Sequence, residues 1–179
     1  MSLVFFKLMR IFKFIAILFI VLIIGFFAIG LFSPSLTYQN SITVNAPVDK
    51  AFELFTDTVK MHEWIPGFIS FTNESGGNFN RGSKWKLILI QEDQHYEMIE
   101  TITAYVPNQQ YSYNLENIVL RNQVDVYFKP IGNMTEIISH NLVTGNNLIW
   151  RSVLFFFEKE LYNNGQESFA DLKKMIESN

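Results

Sequence analysis

The 179-residue sequence contains no cysteine. Disulfides, thiol nucleophiles, thiolate-bound metals and lipid attachment through sulfur are thereby excluded. The absence does not locate the chain, because oxidising and reducing compartments both tolerate it. Acidic residues are missing before Asp49, whereas Lys7, Arg10 and Lys13 all precede it. Of the 14 basic residues, 11 therefore belong to the rest of the chain, against 17 acidic ones, a net of −6. An acidic domain without a basic cluster argues against nucleic-acid binding and against electrostatic docking on anionic lipid. Histidine is scarce as well. His62, His95 and His140 are scattered, and the His-Glu-Trp at 62–64 lacks the second histidine of a zinc-binding helix, with Pro66 breaking any such helix. No metal and no cofactor is expected.

Long unbroken apolar runs are absent except for one. "FIAILFIVLIIGFFAIGLF", Phe14 to Phe32, holds nineteen residues without a charge. As a helix it reaches about 28 Å, close to the roughly 30 Å of a bilayer's hydrocarbon core. A soluble core helix would keep a polar stripe, and an export signal usually has a shorter apolar segment. The run reads as an uncleaved transmembrane anchor. A cleaved signal peptide is the alternative, with Ala28-Ile29-Gly30 as a small-x-small processing site. The basic flank places residues 1–13 in the cytoplasm and the following domain outside it. Ser33-Pro34-Ser35 ends the helix, and residues 33–40 are expected to be a tether to a domain over 41–179.

Beyond the tether, "SITVN" at 41–45 alternates like a strand. Pro47 suits the first turn of a helix carrying Ala51, Phe52, Leu54 and Phe55, and a second short helix is expected to end at Pro66-Gly67. "TNESGGNFNRG" reads as a loop. Five alternating stretches follow, over 83–91, 95–106, 110–116, 120–129 and 135–143, joined by turns such as Glu92-Asp93 and Pro107-Asn108. That spacing implies an antiparallel meander. From Leu148 to about Glu177 the pattern is helical, with Gly165 either kinking the helix or letting it approach the sheet closely. The expected architecture is α+β, a curved antiparallel sheet wrapped around a long C-terminal helix, with two short helices after strand 1 and one transmembrane helix in front. An antiparallel sheet must cover one face, and a strongly curved one leaves a cavity beneath its helix.

Several stretches taken together resemble the START-like, or SRPBCC, superfamily, the helix-grip domains of polyketide cyclases, lipid-transfer proteins and plant allergens. "ITVNAPVDKAFELFTD" is similar to that group's first strand and Pro-initiated helix. "HEWIPGF" is similar to its Trp-x-Pro closure, and "RGSKWKL" to the glycine opening a strand. "ETITAYVPNQQYSY" resembles the Glu-rich strand, Pro turn and aromatic strand of its cyclase-like members. "NMTEIISHNLV" resembles a later strand, with Asn133 where the group has Gly, and "NNGQESFADLKKMIE" resembles the terminal helix. The resemblance implies a hydrophobic small molecule or lipid as partner. It carries over few fixed catalytic residues, since one fold hosts many functions.

Alternation and helical spacing nominate a cavity lining of Trp85, Leu87, Met98, Glu100, Ile102, Ala104, Tyr113, Val126, Ile137, Val153, Phe157 and Leu161. Glu100 shares a strand face with Met98 and Ile102. A carboxyl beside an apolar cavity has a raised pKa and can act as acid or base, with Tyr113 as its partner. The plainer alternative leaves Glu100 at a solvated edge. Arg121 points outward by parity. Trp64 is expected to be buried where the short helices meet the sheet. Trp150 and Phe155 are left to pack under a loop, to meet a partner chain or to touch the bilayer. Three functions remain: a membrane-anchored binding module, a cyclase- or dehydrase-like enzyme using Glu100 and a pocket tyrosine, and a ligand-free structural domain.

Overall fold

The computed structural model describes residues 2–91 and 93–179; Met1 and the Glu92 of the expected turn lie outside them. Helix α1, Ser2–Phe32, contains the apolar run, and among the described residues it is the one helix long and apolar enough to cross a membrane. Seven strands follow in one antiparallel sheet: β1 (Ser35–Val44), β2 (Phe68–Ser75), β3 (Lys84–Gln91), β4 (Gln94–Val106), β5 (Gln110–Glu116), β6 (Leu120–Ile131) and β7 (Met134–Gly145). Their spatial order is β1-β7-β6-β5-β4-β3-β2. Helix α2 (Val48–Thr56) connects β1 to β2 through one 3-10 turn, Met61–Glu63, and helices α3 (Leu148–Phe155) and α4 (Glu158–Ser178) close the chain.

Each element follows from a local pattern. Helix α2 starts after Pro47, whose φ of −66° suits a helix entrance, and it buries Ala51, Phe52, Leu54 and Phe55 on one face. Helix α4 buries Phe169, Leu172, Met175 and Ile176 at helical spacing. It runs alongside β1. Lys173 Nζ donates to the Thr43 carbonyl at 2.8 Å, and the Asn45 N–H donates to Glu177 Oε1 at 2.9 Å. Gly165 makes the close approach possible, because a Cβ there would collide with the Asn40 side chain.

Four expectations need correction. The stretch 33–40 is largely strand, since β1 begins at Ser35 and pairs with Thr144. Its inward position at Asn40 is buried but polar, which hides the alternation. Strand β2 lies where the sequence reads mostly as loop. It is an edge strand with irregular pairing at Phe68/Ser70 and Asn73/Ser75, so its period-2 signal is broken. The second short helix is reduced to the 3-10 turn before Pro66. The long C-terminal helix is two helices, separated at Phe156-Phe157 without a proline or glycine to announce the break.

The core occupies the end of the sheet remote from α1. Phe52 and Phe55 of α2 meet Phe128 edge-to-face at 5.0 and 5.3 Å, and Val44, Ile102, Ile137 and Leu172 are fully buried around them. Trp85 is sandwiched between Phe71 and Phe79, each 4.9 Å away. Phe79 reaches that position from the loop after β2 with φ of +33°, an uncommon conformation for a bulky residue that the aromatic stack offsets.

Candidate functional site

At the other end of the sheet, nearer α1, the space beneath the strands is not filled. A cavity of about 200 Å³ lies between the sheet, the Met61–Ile65 turn and the middle of α4, where Gly165, Ser168 and Phe169 face it. Phe55, Trp64, Leu87, Leu89, Leu115 and Val124 supply most of its apolar wall. Two polar groups interrupt that wall.

One is Glu100 with its tyrosines. Glu100 is 6% exposed, and the Tyr111 hydroxyl donates to its Oε1 at 2.5 Å. Burial pushes the carboxyl up to about 7, with the Tyr111 hydrogen bond acting against the rise. Near neutral pH this carboxyl exists in both protonation states. Burial, and then the nearby Glu100, hold Tyr111 well above the ordinary phenol range. Tyr113 is raised by burial first and then by Glu100 and Tyr38. Both phenols therefore remain hydrogen-bond donors at physiological pH.

The other polar group spans β1, β6 and β7. Asn122 Nδ2 donates to Asn141 Oδ1 at 3.2 Å, and Asn141 Nδ2 donates to Ser139 Oγ at 3.1 Å. Asn40 donates to the Tyr162 carbonyl at 3.0 Å and to Gln166 Oε1 at 3.1 Å, tying β1 to α4. Burial pushes Tyr38 up to about 12, with Asn122 beside it acting in the opposite direction. The buried Oδ1 of Asn122 has no hydrogen-bond partner among the described residues.

Of the residues nominated from sequence, Leu87, Glu100, Tyr113 and Val126 line this cavity. Trp85, Ile102 and Ile137 are buried in the packed core. Met98 is half-buried opposite Leu87 and is not part of the wall. Ala104 is displaced by an irregularity in the β4–β5 pairing between Ile102 and Ala104, which turns Tyr105 toward the core instead. Val153, Phe157 and Leu161 are not in the wall either, because the helix breaks before Phe157, which is left 51% exposed. Arg121 pairs with Glu116 on the surface. Trp64 is only half-buried, stacked 5.2 Å from Phe55 at the cavity's edge.

Sequence reasoning passed over Tyr38, Asn40, Tyr111, Ser139 and Asn141. For Ser139 and Asn141 a signal existed, since period 2 from Ile137 puts both on the inner face. Tyr111 is in phase with Tyr113 and with Leu115, the partner of Glu100, so period 2 put it on the inner face as well.

Among curated proteins, none matches the chain significantly. Solved structures share the fold at low identity. Ara h 8.0201 superposes with a TM-score of 0.65 at 13% identity, covering 81% of this chain and 99% of that one. TTHA0849 from Thermus thermophilus gives 0.65 at 12%, covering 79% and 97%. The di-domain ARO/CYC StfQ from the steffimycin biosynthetic pathway gives 0.65 at 12%, covering 82% of this chain and 52% of that one. The family model described as polyketide cyclase / dehydrase and lipid transport matches residues 35–154, from the first residue of β1 almost to the end of α3, and the chain belongs to that family.

Proposed function

We propose that the domain binds an apolar or amphiphilic small molecule, such as a lipid, in the cavity beneath its sheet, and that α1 holds it to a membrane on the non-cytoplasmic side. The observation that carries the binding reading is the cavity itself: mostly apolar, with Glu100 and its tyrosines placed to meet one polar group of a ligand. At about 200 Å³ it is smaller than most drug-sized pockets and suits one ring or a short stretch of chain. Burying on the order of 200 Å² of apolar ligand surface contributes about 5 kcal/mol before the costs of association. Titrating the detergent-solubilised full chain with fluorescent fatty-acid and sterol probes is expected to give saturable binding. Val124→Trp, which projects an indole into the cavity, is expected to weaken it at least about tenfold. Ala104→Trp, outside the wall, is expected to leave it unchanged. Equal binding by wild type and Val124→Trp, or none by either, overturns the proposal.

The length of α1 and its basic flank support the anchor. A product of 20.9 kDa is expected to stay in the membrane pellet through carbonate extraction. Protease added to spheroplasts is expected to degrade residues 33–179. A shorter, soluble product favours the cleaved signal, and protection of the domain reverses the orientation.

The near-neutral pKa of Glu100 favours a second reading, in which Glu100 transfers a proton and Tyr111 or Tyr113 donates to the substrate, as in a cyclase- or dehydrase-like enzyme. Mass spectrometry of small molecules co-purifying with wild type and Glu100→Gln separates the two. The same molecule in both supports binding; its conversion by wild type alone supports catalysis.

A further inference from the structure

Helix α3 packs against the C-terminal end of α1 as well as against β7. The contact centres on Gly30, where a Cβ would come within 2.6 Å of the Leu148 carbonyl and would overlap the Ser152 hydroxyl. Glycine against serine lets two helix backbones approach closely, as in membrane helix pairs. Gly30 is two residues before Phe32, the last residue of the apolar helix, so α3 crosses α1 about 3 Å inside that end. Leu148 and Ile149 of α3 are exposed, and so are Phe155, Phe156 and Phe157 at the corner between α3 and α4, Phe156 to 63%. Arg151 is the single charged residue of α3, and its Nε donates to the Gly145 carbonyl at 3.2 Å. The next charges, Glu158 to Glu160, begin only with α4. The result is an apolar surface continuous with the membrane helix and ending in three phenylalanines.

We propose that α3 and the Phe155–Phe157 corner are a second membrane element, seated in the outer acyl–headgroup boundary of the same bilayer that α1 spans. The proposal rests on the reading of α1 as a membrane span. A short apolar helix lying in the boundary plane is held by buried apolar area, and exposed aromatic rings suit that level. Electrostatic attraction to anionic lipid is not required, in keeping with the acidic domain. The seat also orients the ligand site. Tyr38 walls the cavity on one side and, on the other, a shallow amphipathic groove lined by Phe155, Phe156, Glu158, Lys159 and Tyr162. With α3 in the boundary, that groove faces the bilayer, and the ligand class is a membrane lipid that passes Tyr38 between bilayer and cavity.

The absence of native cysteine makes single-site labelling direct. Full-length Phe19→Cys, Phe156→Cys and Glu74→Cys, each carrying an environment-sensitive NBD label, are reconstituted in phosphatidylcholine vesicles containing shallow or deep spin-labelled lipid. The expected result is deep quenching at Phe19→Cys, shallow quenching with a blue-shifted spectrum at Phe156→Cys, and neither at Glu74→Cys. Quenching at Phe19→Cys without any at Phe156→Cys overturns the second seat and leaves the anchor standing. A blue shift at Phe156→Cys without quenching, growing with protein density, means that another copy covers the corner and also overturns it. No quenching at Phe19→Cys overturns the membrane span and this proposal with it.

Discussion

Glu100→Gln is expected to flatten the pH dependence of stability and to stabilise the folded chain by about 3 kcal/mol at pH 8, the linkage value of a carboxyl raised from 4.5 to about 7. The sign follows from the direction of the shift. The folded state binds the proton more tightly than the unfolded one, so protonation supports the fold. Glu100's contribution is complete below about pH 4.5, is lost progressively as the pH rises toward 7, and is flat beyond. Glutamine imitates the protonated acid, keeps an oxygen to accept from Tyr111, and carries no charge to desolvate. Urea unfolding of wild type and variant in the same detergent, from pH 5 to pH 8, checks it. Curves that lie close together at pH 5 and separate progressively up to pH 8 are expected. Parallel curves over that range mean that Glu100 is solvated and unsuited to either proton transfer or ligand recognition.

Phe55→Ala is expected to cost about 3–5 kcal/mol, the usual loss for a phenyl ring removed from a packed interior. Phe55 is 5% exposed and stands between core and cavity. Its ring stacks on Trp64 and meets Tyr111 and Phe128 edge-to-face at 5.7 and 5.3 Å. Truncation joins the vacated space to the existing cavity, and it removes the packing that positions Tyr111 against Glu100. Trp64→Ala, at the half-exposed end of the same stack, is expected to cost clearly less. Equilibrium unfolding of both variants tests the order. A larger loss for Trp64→Ala would place the main support of the α2 region at the cavity's edge, not in the core.

These expectations depend on different amounts of the molecule. The helix at 14–32, the α2 face of Ala51, Phe52, Leu54 and Phe55, and the strands over 84–91, 94–106 and 110–116 were legible because their signals are local. An uncharged run, a 3.6-residue period and a 2-residue period each show within a dozen positions. Glu100 was legible for the same reason, as an acid in phase with Met98 and Ile102. The inward polar residues were obscured by their own polarity. Asn40 resembled part of a tether until Tyr162 and Gln166 supplied its hydrogen-bond partners from α4. Ser139 and Asn141, in phase with Ile137, carry side chains too polar to stand out as an inner face until Asn122 on the neighbouring strand pairs with Asn141.

One long apolar helix, and the order of an antiparallel sheet followed by a helical region, are written in the chain locally, because periodicity and chain order are properties of neighbouring residues. Which side chains reach the cavity is a matter of packing. The β4–β5 irregularity moved Ala104 away and brought Tyr105 in, the break at Phe156-Phe157 removed Val153, Phe157 and Leu161, and the close packing of Gly165 on Asn40 set α4 over the remaining space. Each of these is settled by contacts between residues far apart in the chain, where a one-residue slip or a helix end changes a side chain's neighbours without changing the local pattern.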